Sequence, residues 1–465
     1  MHLWSATPLG LLAVAACLFC QDCTRATVEG MALSVSGGRD SKSEVCVQND
    51  LDINPVSFYM YPPVLFSGYT DCLNERQPDF KHGSGPVLIR QLANHPWRDG
   101  PSDAEICIVP VLFDHLTLGW CAGTLEQHLL QARQVIEEED ARDPKRCRHV
   151  GIATNWRSTE SVAAFRKYLG QMIFAMNSKG DGCTLLTPYL AYKSAAPPGL
   201  EGYGHNTLRW EVYTDRPSNQ KEKRFLVEFG GQVKRKDGYE DRLALFNSTG
   251  EIPKSYIVMV DDWEREGKRA HVRACRGPDD TDRCRRGRVS LQEFTEIREH
   301  SRFSLFLRGD EPLSDRLFNA FASQVPVVAV FDESGDGLTP GGEEEKYGWG
   351  GDLFSGWLPF PDIIPWKDLL IVIDGKTFRE DPAGALRSLE SIPQEQLEKL
   401  QKQMKKYRPD IDIGVFNTRV ASNLLRTAAK LLPGSCSITN VGELQFGVHS
   451  HSHKQHRDWR KKRGG

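Results

Sequence analysis

From residue 57 to residue 432, short apolar runs alternate with stretches in which apolar residues recur every three or four positions. Residues 57–61 (SFYMY) alternate and end at Pro62-Pro63, which predicts a strand followed by a turn. Residues 106–113 (ICIVPVLF) form a continuous apolar run, the pattern of a strand covered on both faces, and 149–153 (HVGIA) is a shorter one. Between them, Val87, Leu88 and Leu92 have helical spacing within 86–94. After them, Val162, Phe165, Tyr168, Leu169, Ile173 and Phe174 predict a helix over 161–176. The second half repeats the alternation. Strands are expected at 224–229, 256–260, 303–307 and 326–331, with a helix at 314–323 and two more at 394–407 and 416–432. Strands alternating with helices predict an α/β chain of parallel βαβ units. Two such series, divided near 217–220, predict two Rossmann-like domains facing a central cleft.

The two ends look different. Residues 9–20 (LGLLAVAACLFC) are an uninterrupted apolar run, and the first charged side chain is Asp22. Twelve residues suit the hydrophobic segment of a signal peptide, whereas a bilayer span needs about 20. The uncharged stretch from Met1 keeps a signal anchor open, and either reading sends the chain into the secretory pathway. Residues 24–45 are small and polar and read as a stem or linker. Residues 449–465 (HSHSHKQHRDWRKKRGG) read as a solvated, basic, histidine-rich tail. The expected organisation is therefore 1–23 signal peptide or anchor, 24–45 stem, 46–216 first Rossmann-like domain, 217–432 second Rossmann-like domain and 433–465 tail.

Composition narrows the class. The chain has 465 residues, 26% charged and 39% hydrophobic, which excludes wholesale disorder and a polytopic membrane protein. A formal charge of -3 gives no overall field to hold nucleic acid. Of 12 cysteines, ten remain once Cys17 and Cys20 leave with a signal. They form no paired CxxC knuckles, so disulfides in an oxidising lumen are favoured over a structural zinc. Cys275 and Cys284 flank a polar loop that a disulfide could close. Asn247-Ser248-Thr249 is a glycosylation acceptor in a polar stretch, expected on a surface loop.

The chemistry concentrates in residues 303–330 (FSLFLRGDEPLSDRLFNAFASQVPVVAV), which read as strand, polar loop, helix, strand. The loop follows the carboxyl end of a parallel strand, where open α/β sheets bind ligands. Ser314 is a natural N-cap, and a helix start offers backbone N–H groups to an anion. Arg308 and Arg316 add two cations whose planar forks suit phosphate oxygens. A diphosphate leaving group would use all of these together. Competing readings are an adhesion tripeptide at Arg308-Gly309-Asp310 and a surface ion pair of Arg316 with Asp315 or Glu311.

This stretch resembles the signature of the exostosin-like glycosyltransferases, glycosyltransferase family 47, at Phe303, Leu305, Arg308, Gly309, Ser314, Arg316, Ala320, Pro326 and Val327. Further likenesses are Leu358-Pro359-Phe360 with Trp366, the 225–231 segment with Arg242, Tyr59-Met60-Tyr61-Pro62-Pro63, and 103–110. Together they run in the family's order over most of 57–410. The resemblance implies a GT-B fold and inverting transfer from a nucleotide sugar, usually a UDP-sugar, to a glycan or polysaccharide in the Golgi lumen. It implies that Arg308, Gly309, Ser314, Arg316, Asn319 and Arg242 face the donor, with Gly230 and Gly231 admitting the diphosphate to the backbone. It also implies no obligatory metal, since cations and N–H dipoles stabilise the departing UDP, and it admits a homo- or hetero-oligomer with another transferase. The acidic pairs Asp261-Asp262 and Asp279-Asp280 read as solvated loop charge.

Inversion needs one general base from the amino-terminal domain. Asp114 and His115 follow the apolar run at 106–113 and are the positional candidates. Two departures favour an alternative, a catalytically silent relative that binds glycan or partners an active transferase. Asn319 stands where the family usually has an acid, and Ser323-Gln324 replaces the usual Gly-Cys.

Overall fold

The computed structural model describes residues 55–431, apart from 70–83, 143–146, 178–182, 192–221, 234–238, 277–290, 310–312, 333–352 and scattered single or paired positions. Outside the described residues lie the expected signal segment, stem and tail, the proposed boundary at 217–220, Asp310, Asp279-Asp280 and Cys284.

The first half builds a five-stranded, all-parallel sheet in the order β1-β2-β3-β4-β5. Its strands are β1 (Phe58–Met60), β2 (Ile106–Leu112), β3 (Arg148–Ala153), β4 (Ile173–Met176) and β5 (Thr184–Leu186). The helices of this half are α1 (Ser84–Ala93), α2 (Phe113–Thr117), α3 (Leu125–Arg142) and α4 (Val162–Leu169). α3 and α4 bury Leu129, Ala132, Val162 and Phe165 against one sheet face, together with Cys107, Val109, Phe113 and Phe174. The continuous apolar run of β2 is thus explained: alternate side chains enter two different cores.

The helix expected over 161–176 is shorter than its periodicity suggests. It stops at Gly170, whose φ of 58° lies in the left-handed region that ends helices, and Ile173 and Phe174 belong to β4. A short apolar strand after a helix imitates one more helical turn.

The second half is a six-stranded sheet in the order β11-β10-β9-β6-β7-β8. Its strands are β6 (Phe225–Val233), β7 (Ser255–Arg265), β8 (Lys268–Arg276), β9 (Ser301–Leu307), β10 (Val327–Phe331) and β11 (Leu370–Asp374). All neighbours are parallel except β8, which pairs antiparallel with β7 at one edge. Asp261-Asp262 therefore lies within a strand and not in the expected loop, and Cys275 sits in β8 opposite Tyr256. Helices α5 (Glu240–Ser248), α6 (Leu291–Glu299), α7 (Asp315–Ala322), α8 (Gly375–Glu380), α9 (Gln394–Ile411) and α10 (Val420–Lys430) belong to this half, with two shorter helices at Leu353–Gly356 and Pro382–Arg387. Asn247 is exposed in the last turn of α5, on a helix and not on the surface loop expected of it.

Two Rossmann-like halves of this kind form a GT-B fold. The chain returns at its end to the first half, where α10 packs against α1, β2 and β5. Arg148 of β3 donates to the Ala429 carbonyl at 2.9 Å and to the Leu431 carbonyl, so a cation from the first half caps the carbonyl end of α10. Gln91 donates to the Ile413 carbonyl at 2.6 Å, and His95 meets Ser422 at 2.9 Å. One apolar cluster runs through both halves, from Phe58 and Ile106 to Phe318, Met404 and Leu424. Tyr189, just past β5, sets its ring 5.9 Å from that of Phe318 on α7, so the two halves touch there through packed side chains.

Cys107 and Cys147 form a disulfide, and Cys121 and Cys183 are disulfide-bonded as well, in agreement with the reading of the cysteines. Among the described residues no helix is long and apolar enough to cross a membrane.

Candidate active site

The carboxyl edge of the second sheet gathers arginines from four elements. β9 ends at Leu307, and Arg308 and Gly309 follow it. Arg242 of α5 is 4% exposed and donates to the carbonyls of Leu307 and Gln232, each at 3.1 Å. Its guanidinium lies 5.0 Å from the Tyr239 ring centre and 5.6 Å from that of Phe229. A Cβ at position 309 would fall 2.3 Å from the Arg242 guanidinium, so glycine there is what lets the arginine close the strand end. Arg242 thereby serves as a tie between β6 and β9.

Arg316, in the first turn of α7, donates from Nε to the Gly230 carbonyl and lies 5.4 Å over the Phe229 ring. Gly231 faces the same group, since a Cβ there would sit 3.2 Å from an Arg316 nitrogen. At Gly230 the near neighbour is the Phe294 ring, 2.6 Å from where a Cβ would stand. The two glycines of β6 thus admit α6 and Arg316 to the strand, a packing reason for residues that the resemblance assigns to donor approach. Arg308 reaches Glu240 at 3.7 Å. Ser314 has the extended backbone of an N-cap, yet its side chain makes no capping bond. Its Oγ is buried and has no hydrogen-bond partner among the described residues. Asn319 lies one helical turn further on and is 5% exposed.

A fourth arginine was missed by sequence reasoning. Arg379 of α8 donates to Asp241 at 2.8 Å and to both oxygens of Asp332, at 2.8 and 3.1 Å. Burial pushes the Asp241 carboxyl up to about 6, against the pull of Arg379 and Arg308, while Asp332 adds to the rise. Gly375 makes room for this bridge, its missing Cβ falling 2.6 Å from Asp332. The signal available in sequence was an acidic residue at the carboxyl end of each of two strands, Asp332 just after β10 and Asp374 as the last residue of β11, and it named no partner.

The carboxyl edge of the first sheet is furnished differently. Asp114 and His115 enter α2 directly after β2, at the strand end expected for them, and are 1% and 0% exposed. Thr154 donates to Asp114 Oδ2 at 2.6 Å and Asn155 donates to Oδ1 at 3.1 Å. Burial nevertheless pushes the carboxyl up to about 7, the hydrogen bonds from Thr154 and Asn155 opposing it. The start of α1 closes over the group. A Cβ on Gly85 would stand 2.4 Å from Asp114 Oδ2. The structure thus brings Asp114 and His115 to one edge and Arg308, Gly309, Ser314, Arg316, Arg242, Gly230 and Gly231 to another, with Asn319 further along α7 and Asn247 apart on α5.

No protein-family model matches this chain, and no curated protein matches it. Among solved structures, WaaG, a glycosyltransferase of lipopolysaccharide biosynthesis, aligns over 82% of this chain and 100% of its own, at 11% identity and a TM-score of 0.31. The N-terminal domain of Candida albicans trehalose-6-phosphate phosphatase aligns over 83% and 99%, at 6% identity and a TM-score of 0.37. CalG4, the calicheamicin glycosyltransferase, aligns over 82% and 100%, at 9% identity and a TM-score of 0.30. Such values carry neither a family nor an activity to this chain.

Proposed function

We propose that this chain is an exostosin-like, inverting glycosyltransferase that moves a sugar from a nucleotide sugar, a UDP-sugar in the first instance, to a glycan or polysaccharide acceptor. The observation that carries the reading is the convergence of Arg308, Arg316 and the Ser314 start of α7 on one sheet edge, with the Ser314 hydroxyl unpartnered among the described residues. Cations and helix-start N–H groups fixed before reaction stabilise charge developing on a leaving diphosphate at no reorganisation cost. In this reading Arg308 exchanges Glu240 for phosphate oxygens, Ser314 donates its hydroxyl, and Arg316 presents the edge not used by Gly230. Arg242 and Gly309 act behind them by holding the strand end. No metal is required of this arrangement.

Asp114 is the better of the two proposed bases, because a carboxyl near 7 is tuned to accept a hydroxyl proton at neutral pH. An acceptor reaches it only if the start of α1 moves aside. Entry into the secretory pathway and residence in the Golgi accord with the disulfides, and exposure of Asn247 accords with glycosylation there.

A second reading, a silent relative that binds glycan or partners an active transferase, is favoured by Asn319 and by Arg308 and Arg316 already having protein partners. The deciding experiment is a donor screen: turnover of a panel of nucleotide sugars, with and without acceptor glycans, by the full chain and by Arg308→Ala. Turnover of one donor that is lost in the variant supports the enzyme. Absence of both turnover and UDP binding leaves the silent relative.

A further inference from the structure

We propose that Cys107, Cys147 and His149 form a redox-gated site for a zinc ion, closed while the two cysteines are joined and opened when a dithiol reduces them. Cys107 in β2 and His149 in β3 are direct partners in the parallel ladder, so the sheet fixes them side by side on one face. Cys147 precedes β3 and lies against Cys107. The two sulfurs and a ring nitrogen of His149 fall within 4.8 Å of one another. A tetrahedral zinc with bonds near 2.0–2.3 Å holds neighbouring donors about 3.3–3.8 Å apart, so breaking the S–S bond and small side-chain rotations suffice.

The surroundings add the rest of a metal centre. Asp140, near the end of α3, places Oδ2 3.7 Å from His149 Nε2 and backs the imidazole as a carboxylate behind a ligating histidine does. The buried Tyr61 hydroxyl donates to Asp140 Oδ1 at 2.8 Å and meets His149 Nε2 at 2.8 Å, and its ring stacks on the imidazole with centres 5.8 Å apart. Such contacts fix donor orientation in the shell behind a metal. Two thiolates and an imidazole, with the fourth position left to water, suit zinc better than calcium or magnesium. Access is from the protein surface, with His149 and Asp140 side chains 21% and 30% exposed. The site lies toward the amino end of β2, seven residues or about 20 Å from Asp114, and is separate from the candidate active site.

The chemistry balances. A dithiol gives two electrons and two protons to the Cys107–Cys147 bond and leaves as its own disulfide. Zinc then binds both sulfurs as thiolates, and two protons pass to solvent. Oxidation by a disulfide such as oxidised glutathione reverses both steps and releases the metal.

The test uses the full chain, reduced by a dithiol under native conditions without oxygen and freed of the dithiol before metal is added. Cobalt(II) is the spectroscopic probe and zinc the competitor. The expected result is one ion per chain above the level of a Cys107→Ser/Cys147→Ser variant. It should show thiolate-to-cobalt charge transfer and tetrahedral bands, bleached by zinc and lost on reoxidation. His149→Ala should weaken binding at least 10–100-fold, and Tyr61→Phe should weaken it by about 10-fold. Equal uptake by the double cysteine variant overturns the proposal. So does a reduced wild-type chain that stays folded by circular dichroism yet binds no cobalt, and so does reduction of this pair only on unfolding.

Discussion

The carboxyl edges of the two sheets carry the same kind of group under opposite regimes. Asp114 at the first and Asp241 at the second are both aspartates pushed upward by burial, to about 7 and about 6. At the first edge the opposing groups are neutral, the Thr154 hydroxyl, the Asn155 amide and backbone N–H groups. At the second they are cations, Arg379 and Arg308. Neutral dipoles leave a carboxyl that changes charge near physiological pH, which suits proton transfer. Cations in excess, with Arg242 and Arg316 beside them, suit an anionic ligand. That contrast accords with the proposed assignment of base to one edge and diphosphate to the other.

The contrast can be broken at either edge. Arg379→Ala strips the shared cation from Asp241 and Asp332 and should cost about 3 kcal/mol in stability, read by denaturant unfolding at pH 8. A variant as stable as wild type would mean that the second edge does not depend on its cations. Arg308→Ala should leave unfolding nearly unchanged and lower donor turnover by about 10²–10³-fold, the usual effect of removing one charge-stabilising donor. A loss of stability without a loss of turnover would place Arg308 in the scaffold instead.

The first edge is tested by pH. A carboxyl with a raised folded value binds more protons folded than unfolded between its two pKa values. Its contribution to stability is therefore full below about 4 and declines as pH rises to about 7. Asp114→Asn removes that decline. The variant should gain on wild type by roughly 1–3 kcal/mol between pH 4 and pH 7 and track it in parallel above. Parallel curves throughout would show an ordinary carboxylate at 114. The smallest effect concerns the lid over this group. Gly85→Ala drives a methyl against Asp114 Oδ2 and should cost about 1–2 kcal/mol, measured by thermal unfolding.

Much of the second edge was legible along the chain, because strand, loop, cap and two arginines fall within 303–316 and each has a local signature. The cation bridge was not. Asp241, Asp332 and Arg379 are separated by up to 138 residues, and only the sheet order brings them together. Gly230 shows the same limit from the other side. Its place in the resemblance marked a close approach, and the structure supplies the approaching group as Phe294 of a different helix. Cys107, Cys147 and His149 escaped a search for CxxC spacing because their spacing is set by two strands in register and not by a turn.

Sequence by itself determined the class and the rhythm: apolar periodicity encodes which segments become strands and helices, and a strand followed by a capped helix is a local event. Tertiary structure decided where helices stop and strands take over, as at Gly170, and which distant charges share a site. It also decided that the last helix returns to the first half. Those outcomes depend on burial and on neighbours brought from far along the chain. Desolvation and pairing energies exist only once the sheets have assembled.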